Sequence, residues 1–121
     1  MANGTVQRMG MQTWRLWENS DPTVAFTAKT ISGDLSAYDA FLIEYGGSTT
    51  YYNNIMSEIV LKNGKQYMLS CILASGNTPR NRGVTATDSG ITFSGGYQSG
   101  SANNNAVIPL VIHGIKGIPL S

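Results

Sequence analysis

The sequence predicts an all-β chain, an antiparallel β-sandwich of jelly-roll-like type, and three observations carry that reading. Apolar residues almost never recur at helical spacing. Short runs rich in β-branched and aromatic residues recur instead between clusters of Gly, Asn, Ser and Thr. Fourteen glycines, with many asparagines, supply the turns that such a fold needs.

The elements follow in order. "QTWRLW" (12–17) alternates around Trp14 and Leu16, although Trp17 disturbs a strict period of two. "TVAFTAKTI" (23–31) puts Val24, Phe26, Ala28 and Thr30 on one face, which predicts an inward Phe26. "YDAFLIEY" (38–45) is apolar on both faces and reads as a central strand, entered through a turn or a single helical turn at "SGDLSAYD". "IMSEIVL" (55–61) and "QYMLSCILA" (66–74) flank Asn63-Gly64, the pattern of a two-residue hairpin, because a type I′ turn needs positive φ at both central positions.

The polar stretch "SGNTPRNRG" (75–83) reads as a connection, leading through "VTATD" to a short "ITF" strand (91–93). "SGGYQSGSANNN" (94–105) reads as a surface loop, and 106–116 as the last strand. Pro109 interrupts that strand. A proline has no N–H for a sheet ladder, so the run is predicted to lie at a sheet edge.

A chain of 121 residues builds one core and not two. The assignment is an N-terminal arm at 1–13, the sandwich at 14–117 and a tail at 118–121. Charged residues make up 12% and the net charge is +1, so neither nucleic-acid binding nor attraction to a membrane surface is expected. No run approaches the roughly 18 apolar residues that would span a bilayer. The first residues lack the pattern of a signal peptide, which places synthesis in the cytoplasm. The lone cysteine, Cys71, excludes an intrachain disulfide and reads as a buried small hydrophobe.

No catalytic signature stands out, so no enzymatic activity, cofactor or metal is expected. The single histidine, His113, has no acidic neighbour in sequence and reads as a partly exposed or interface residue. None of the seven acids forms a recognisable dyad. Glu44 and Glu58 interrupt apolar strands, which suggests a solvated face or an ion pair with Arg15 or Lys29. Two features suggest recognition: the loop tyrosines Tyr51, Tyr52 and Tyr97, which offer flat amphipathic contact area, and the pair Arg80 and Arg82. Those five residues are the candidate ligand contacts.

From residue 14 to 117 the order of motifs resembles a module found at the C-terminal ends of tail-fibre and related virion proteins of bacteriophages and prophages of Gram-positive hosts. The resemblance rests on Leu16-Trp17, the turn Asn19 to Pro22, Phe26 with Thr30, Leu35-Ser36 with Tyr38-Asp39, Arg80 to Val84, "SGITFSGGY" (89–97) and a closing segment from Asn104 to Lys116. It implies a virion structural protein that acts by oligomeric assembly and host-surface attachment. Its implied partners are its own copies in a homotrimer, other virion proteins and a host cell-surface glycan. An edge strand blocked by Pro109 would then be covered by symmetry mates, with Val107, Pro109, Val111 and Ile115, or the opposite set Ile108, Leu110 and Ile112, at the interface. A free-standing monomeric carbohydrate-binding module is the alternative, and a small hydrolase with dispersed acids a third.

Overall fold

A computed structural model of the chain describes residues 12–73 and 78–117. The predicted tail, and the predicted arm up to residue 11, lie outside the described residues. The strands are β1 (Gln12–Glu18), β2 (Lys29–Ser32), β3 (Ala40–Ser48), β4 (Ile55–Leu61), β5 (Gln66–Leu73), β6 (Thr78–Thr87), β7 (Gly90–Gln98), β8 (Ser101–Ala102) and β9 (Ala106–Lys116). They form two antiparallel sheets packed face to face, with no helix among the described residues. The first sheet runs β1-β9-β3-β4 and the second β2-β7-β6-β5, with β8 added to β7. The fold is the predicted β-sandwich.

Alternation supplies the core. Phe41, Ile43 and Tyr45 of β3, with Val107, Ile108 and Ile112 of its neighbour β9, pack in one cluster with Leu69 of β5, Val84 and Ala86 of β6, and Ile91 and Phe93 of β7 from the other sheet. Trp17, Phe26 and Phe93 close one flank, with Phe26 edge-on to Phe93 at 5.6 Å between ring centres. Burying each such side chain stabilises the fold by about 1.5–3 kcal/mol. The buried Phe26 faces inward as predicted, but from a loop, since regular pairing begins only at Lys29. Asp21 turns the chain by accepting hydrogen bonds from Thr23, and the Phe26 N–H donates to Asn104 O at 2.9 Å.

Several expectations are corrected. β4 and β5 do not form a hairpin: β4 pairs with β3, β5 with β6, and Asn63-Gly64 is a corner between the sheets. Only Gly64 of the two has positive φ (75°), while Asn63 Oδ1 accepts the Lys65 N–H, so the turn is not type I′. The polar stretch 78–83 and the glycine-rich 94–98 are strand, held in β6 and β7 by pairs such as Arg82↔Gly96 and Asn81↔Tyr97.

Pro109 is the sharpest correction. β9 lies in the interior of its sheet, between β1 and β3, and not at an edge. β1 stops pairing at Glu18, opposite Val111, and Asn19 takes over by donating its N–H to Leu110 O (2.8 Å) and its Nδ2 to Pro109 O (2.9 Å). On the β3 side the register slips there, Glu44 facing Val111 and Tyr45 facing Pro109, so that Leu110 is an extra residue. A proline is tolerated inside the sheet because it sits at a bulge where one neighbour has ended. Val107, Pro109, Val111 and Ile115 are buried within one chain, as are Ile108 and Ile112, and Leu110 is half-buried, so the interface predicted there has little exposed surface to offer. Asn19→Ala should lower stability by about 1–2 kcal/mol, read by urea unfolding, because Pro109 O then loses its donor.

Candidate functional site

The predicted contacts divide. Tyr51 and Tyr52 lie in the β3–β4 loop, folded tightly as the Ser48 hydroxyl accepts the N–H groups of Thr50 and Tyr51. Tyr51 projects outward, whereas Tyr52 is half-buried, and its backbone covers Gly46, where a Cβ would come to 2.5 Å from Tyr52 Cα. Arg80 reaches the same end of the sandwich, since it pairs with Cys71, whose Sγ lies 3.8 Å from Gly47 O. Tyr97 is exposed on the outer face of the second sheet, between Asn81 and Ala102.

Arg82 is not a surface residue at all. It is fully buried, and its guanidinium donates to four backbone carbonyls: Nε to Val107 O (2.6 Å), Nη1 to Ser94 O (2.8 Å), and Nη2 to Ala106 O (2.9 Å) and Asn104 O (3.3 Å). The Phe26 ring lies 5.1 Å from its central carbon. Burial draws its pKa down to about 10, which still leaves it charged at neutral pH. It holds Val107 at φ 51°, a costly conformation for a β-branched residue. Arg82 is thus a staple joining β6, β7 and the entry to β9; it does share one side of the strand with Arg80, as the spacing predicts, but that side is the inward one, together with the buried Val84 and Ala86.

Other reactive groups are likewise absorbed. His113 Nε2 and Glu44 Oε2 are 3.3 Å apart on the outer face of the first sheet, a cross-strand pair invisible in sequence, while Arg15 pairs with Glu18. Among the described residues no three of His, Cys, Asp and Glu converge to hold a metal. Burial pushes the Cys71 thiol up, so the native protein should react with a disulfide-forming reagent at neutral pH about tenfold or more slowly than the urea-unfolded chain.

Two surfaces remain. The first is the β4–β5 side of the sandwich. Ile55, Ile59 and Leu61 of β4 and Met68 and Ile72 of β5 are exposed, up to 66% for Ile72, and alternate with Ser57 and Ser70. The outward positions of both strands carry no charge, and Glu58 has the inward parity of Met56 and Val60. The two runs read as hairpin partners in the sequence, whereas each has one edge without a strand partner among the described residues.

The second surface is the opposite side, where β1 and β2 are the outermost strands and the sheets part. A cavity of about 210 Å³ opens there, lined by Leu16, Trp17, Ile31, Leu35, Ile91 and Ile112. Trp17 also borders a neighbouring groove of about 260 Å³ beside Asp21, Val24, Phe26 and Lys29. Comparison of the chain with protein-family models and with curated proteins finds no match.

Proposed function

We propose that the chain is a non-catalytic virion structural module of the bacteriophage tail-fibre or particle-decorating type, which assembles with its own copies and attaches to a host surface. The observation that carries the reading is the uncharged apolar β4–β5 side. Monomeric proteins blunt edge strands with charges, proline or a covering loop, whereas here uncharged outward side chains flank two neighbouring strand edges, those of β4 on one outer face of the sandwich and those of β5 on the other. A second copy is the occupant that fits, because it brings the same uncharged side chains and unpaired strand edges by symmetry. Further into the first sheet, Glu44 faces Ser57 and is already paired with His113, while Glu58 of β4 points inward and is half-buried, so neither carboxylate lies on the outward face.

The motif resemblance supports the reading through fold. Trp17 and Phe26 pack in the aromatic cluster, Tyr38 covers Gly114, and Asp39 accepts the Gly117 N–H at 2.7 Å. In this reading the trimer closes through β4 and β5 and not through β9, and the end bearing Tyr51 and Arg80 is left free to meet a cell-surface glycan.

Light scattering at two concentrations a hundredfold apart tests it. A mass of several chains at both is expected. Replacing Ile59 and Ile72 together by lysine should give a monomer with an unchanged circular dichroism spectrum, because both side chains point to solvent within one chain. A wild-type monomer at both concentrations would overturn the proposal and favour the carbohydrate-binding module, as would an assembly indifferent to the double substitution.

A further inference from the structure

The β1–β2 groove has a shape that β4–β5 assembly does not use. β2 pairs only with β7 and β1 only with β9 among the described residues, so each leaves one edge with unpaired N–H and C=O groups. The β1 edge is interrupted where its register shifts between Arg15 and Trp17, whereas β2 runs regularly from Lys29 to Ser32. Lys29 and Ile31 are two residues apart and share a face. Lys29 borders the larger chamber and Ile31 the smaller. Alternate positions of β2, about 7 Å apart, thus border one chamber each.

The smaller chamber has an apolar floor, from Leu16, Ile31, Ile91 and Ile112, whereas the larger sets Phe26 and Val24 among the polar groups of Asn19, Ser20, Asp21 and Thr27. Three carboxylates border the groove, Glu18 and Asp21 on one side and Asp34 on the other; Glu18 is paired with Arg15, Lys62 stands near Asp34, and Lys29 sits over the Phe26 ring, so Asp21 is the carboxylate with no cation paired to it among the described residues. Hydrogen bonds from Thr23 and Ser36 hold Asp21 and Asp34 below the usual carboxylate range, so both are anionic at working pH.

We propose that this groove receives an extended polypeptide strand, added to the free edge of β2, with apolar side chains two residues apart in the two chambers and basic residues at its flanks. Backbone pairing with β2 supplies affinity, the chambers select the alternate apolar side chains, and the carboxylates select the flanks. A saccharide would satisfy neither the strand edge nor the apolar floor.

The probe is a fluorescent heptapeptide, Lys-Thr-Val-Thr-Leu-Thr-Lys, titrated into the whole protein, with methyl resonances of Leu16, Ile31, Ile91 and Ile112 as the readout. Two versions carry N-methyl groups at alternate backbone nitrogens, one pattern on each edge of the peptide. An added strand pairs along one edge only, so one pattern should weaken binding about tenfold or more, the loss of one or two hydrogen bonds, and the other should leave it unchanged. Exchanging the terminal lysines for aspartates should also weaken binding, increasingly so at low salt. Equal binding of both N-methyl versions, indifference to the flanking charge, shifts confined to β4 and β5, or no binding at millimolar peptide would each overturn the proposal. All these readouts are independent of whether the protein self-associates.

Discussion

Arg82→Ala is expected to cost the fold about 3–5 kcal/mol, enough to leave a domain of this size largely unfolded at 37 °C. The reasoning starts from the four carbonyls that the guanidinium satisfies at once. Removing it leaves these acceptors in a dry interior, each at a penalty of about 1–3 kcal/mol that partial water entry only reduces. It also opens a cavity under Phe26 and frees Val107 from the contact that fixes its left-handed backbone. Arg82→Lys should recover part of the loss, since an ammonium keeps the charge but lacks the planar fork that reaches Ser94 and Val107 together. Urea unfolding of the three proteins should rank them wild type, Lys, Ala. Equal midpoints for wild type and Ala would show that the carbonyls are otherwise satisfied. The pH range also checks the assignment. Burial lowers the Arg82 pKa, so above about pH 10 the folded chain releases the proton before the unfolded chain does, and this group adds stability as the pH rises further. Between pH 6 and 9 it is charged in both states and contributes no slope.

Gly96→Ala comes second, at about 2–3 kcal/mol. A Cβ there would meet Asn103 O at 2.5 Å, Ala106 O at 2.6 Å and Arg82 Nη2 at 2.9 Å. Two of the three are backbone atoms of the segment that enters β9, so the clash is relieved only by moving that segment away from the Arg82 fork. The two sites are thus one structural unit. The double variant Gly96→Ala with Arg82→Lys should lose less than the sum of the single changes, because the fork that the methyl displaces is already gone. Gly33→Ala makes a useful control, as nothing lies within 4 Å of its added methyl, and it should shift the unfolding midpoint little. A Gly96→Ala protein as stable as that control would mean the 94–106 segment is not packed as described.

These two residues also show where sequence reading stopped. "TPRNRG" and "SGGYQSGSANNN" have the composition of surface loops, yet their glycines and asparagines are there to make a cage. Gly83 gives room to the Gln66 side chain, Gly96 to the carbonyls, and Asn104 Oδ1 accepts the Gly96 N–H at 3.1 Å. Composition reports which backbone conformations are easy and not whether a segment is wrapped around a buried cation. The tyrosines fared better: Tyr51 and Tyr97 are exposed as expected, Tyr52 only in part. The Glu44–His113 pair joins residues 69 apart in sequence, and no local pattern announces it.

What the sequence determined by itself was the local grammar. Strand alternation fixed β1, β4, β5 and β9 nearly to the residue, and the scarcity of helical spacing fixed the class, because side-chain period depends only on backbone geometry. Which strands become neighbours is decided elsewhere. Asn63-Gly64 is compatible with a hairpin and with a corner, Pro109 with an edge and with a bulge, and alternation cannot distinguish them. The tertiary structure chose by satisfying backbone groups across the whole sandwich: Asn19 reaches a bulge 90 residues further along the chain, and Arg82 gathers four carbonyls from two segments. That accounting is non-local, which is why the β2 and β4–β5 edges left without a partner among the described residues emerge only once the other pairings are made.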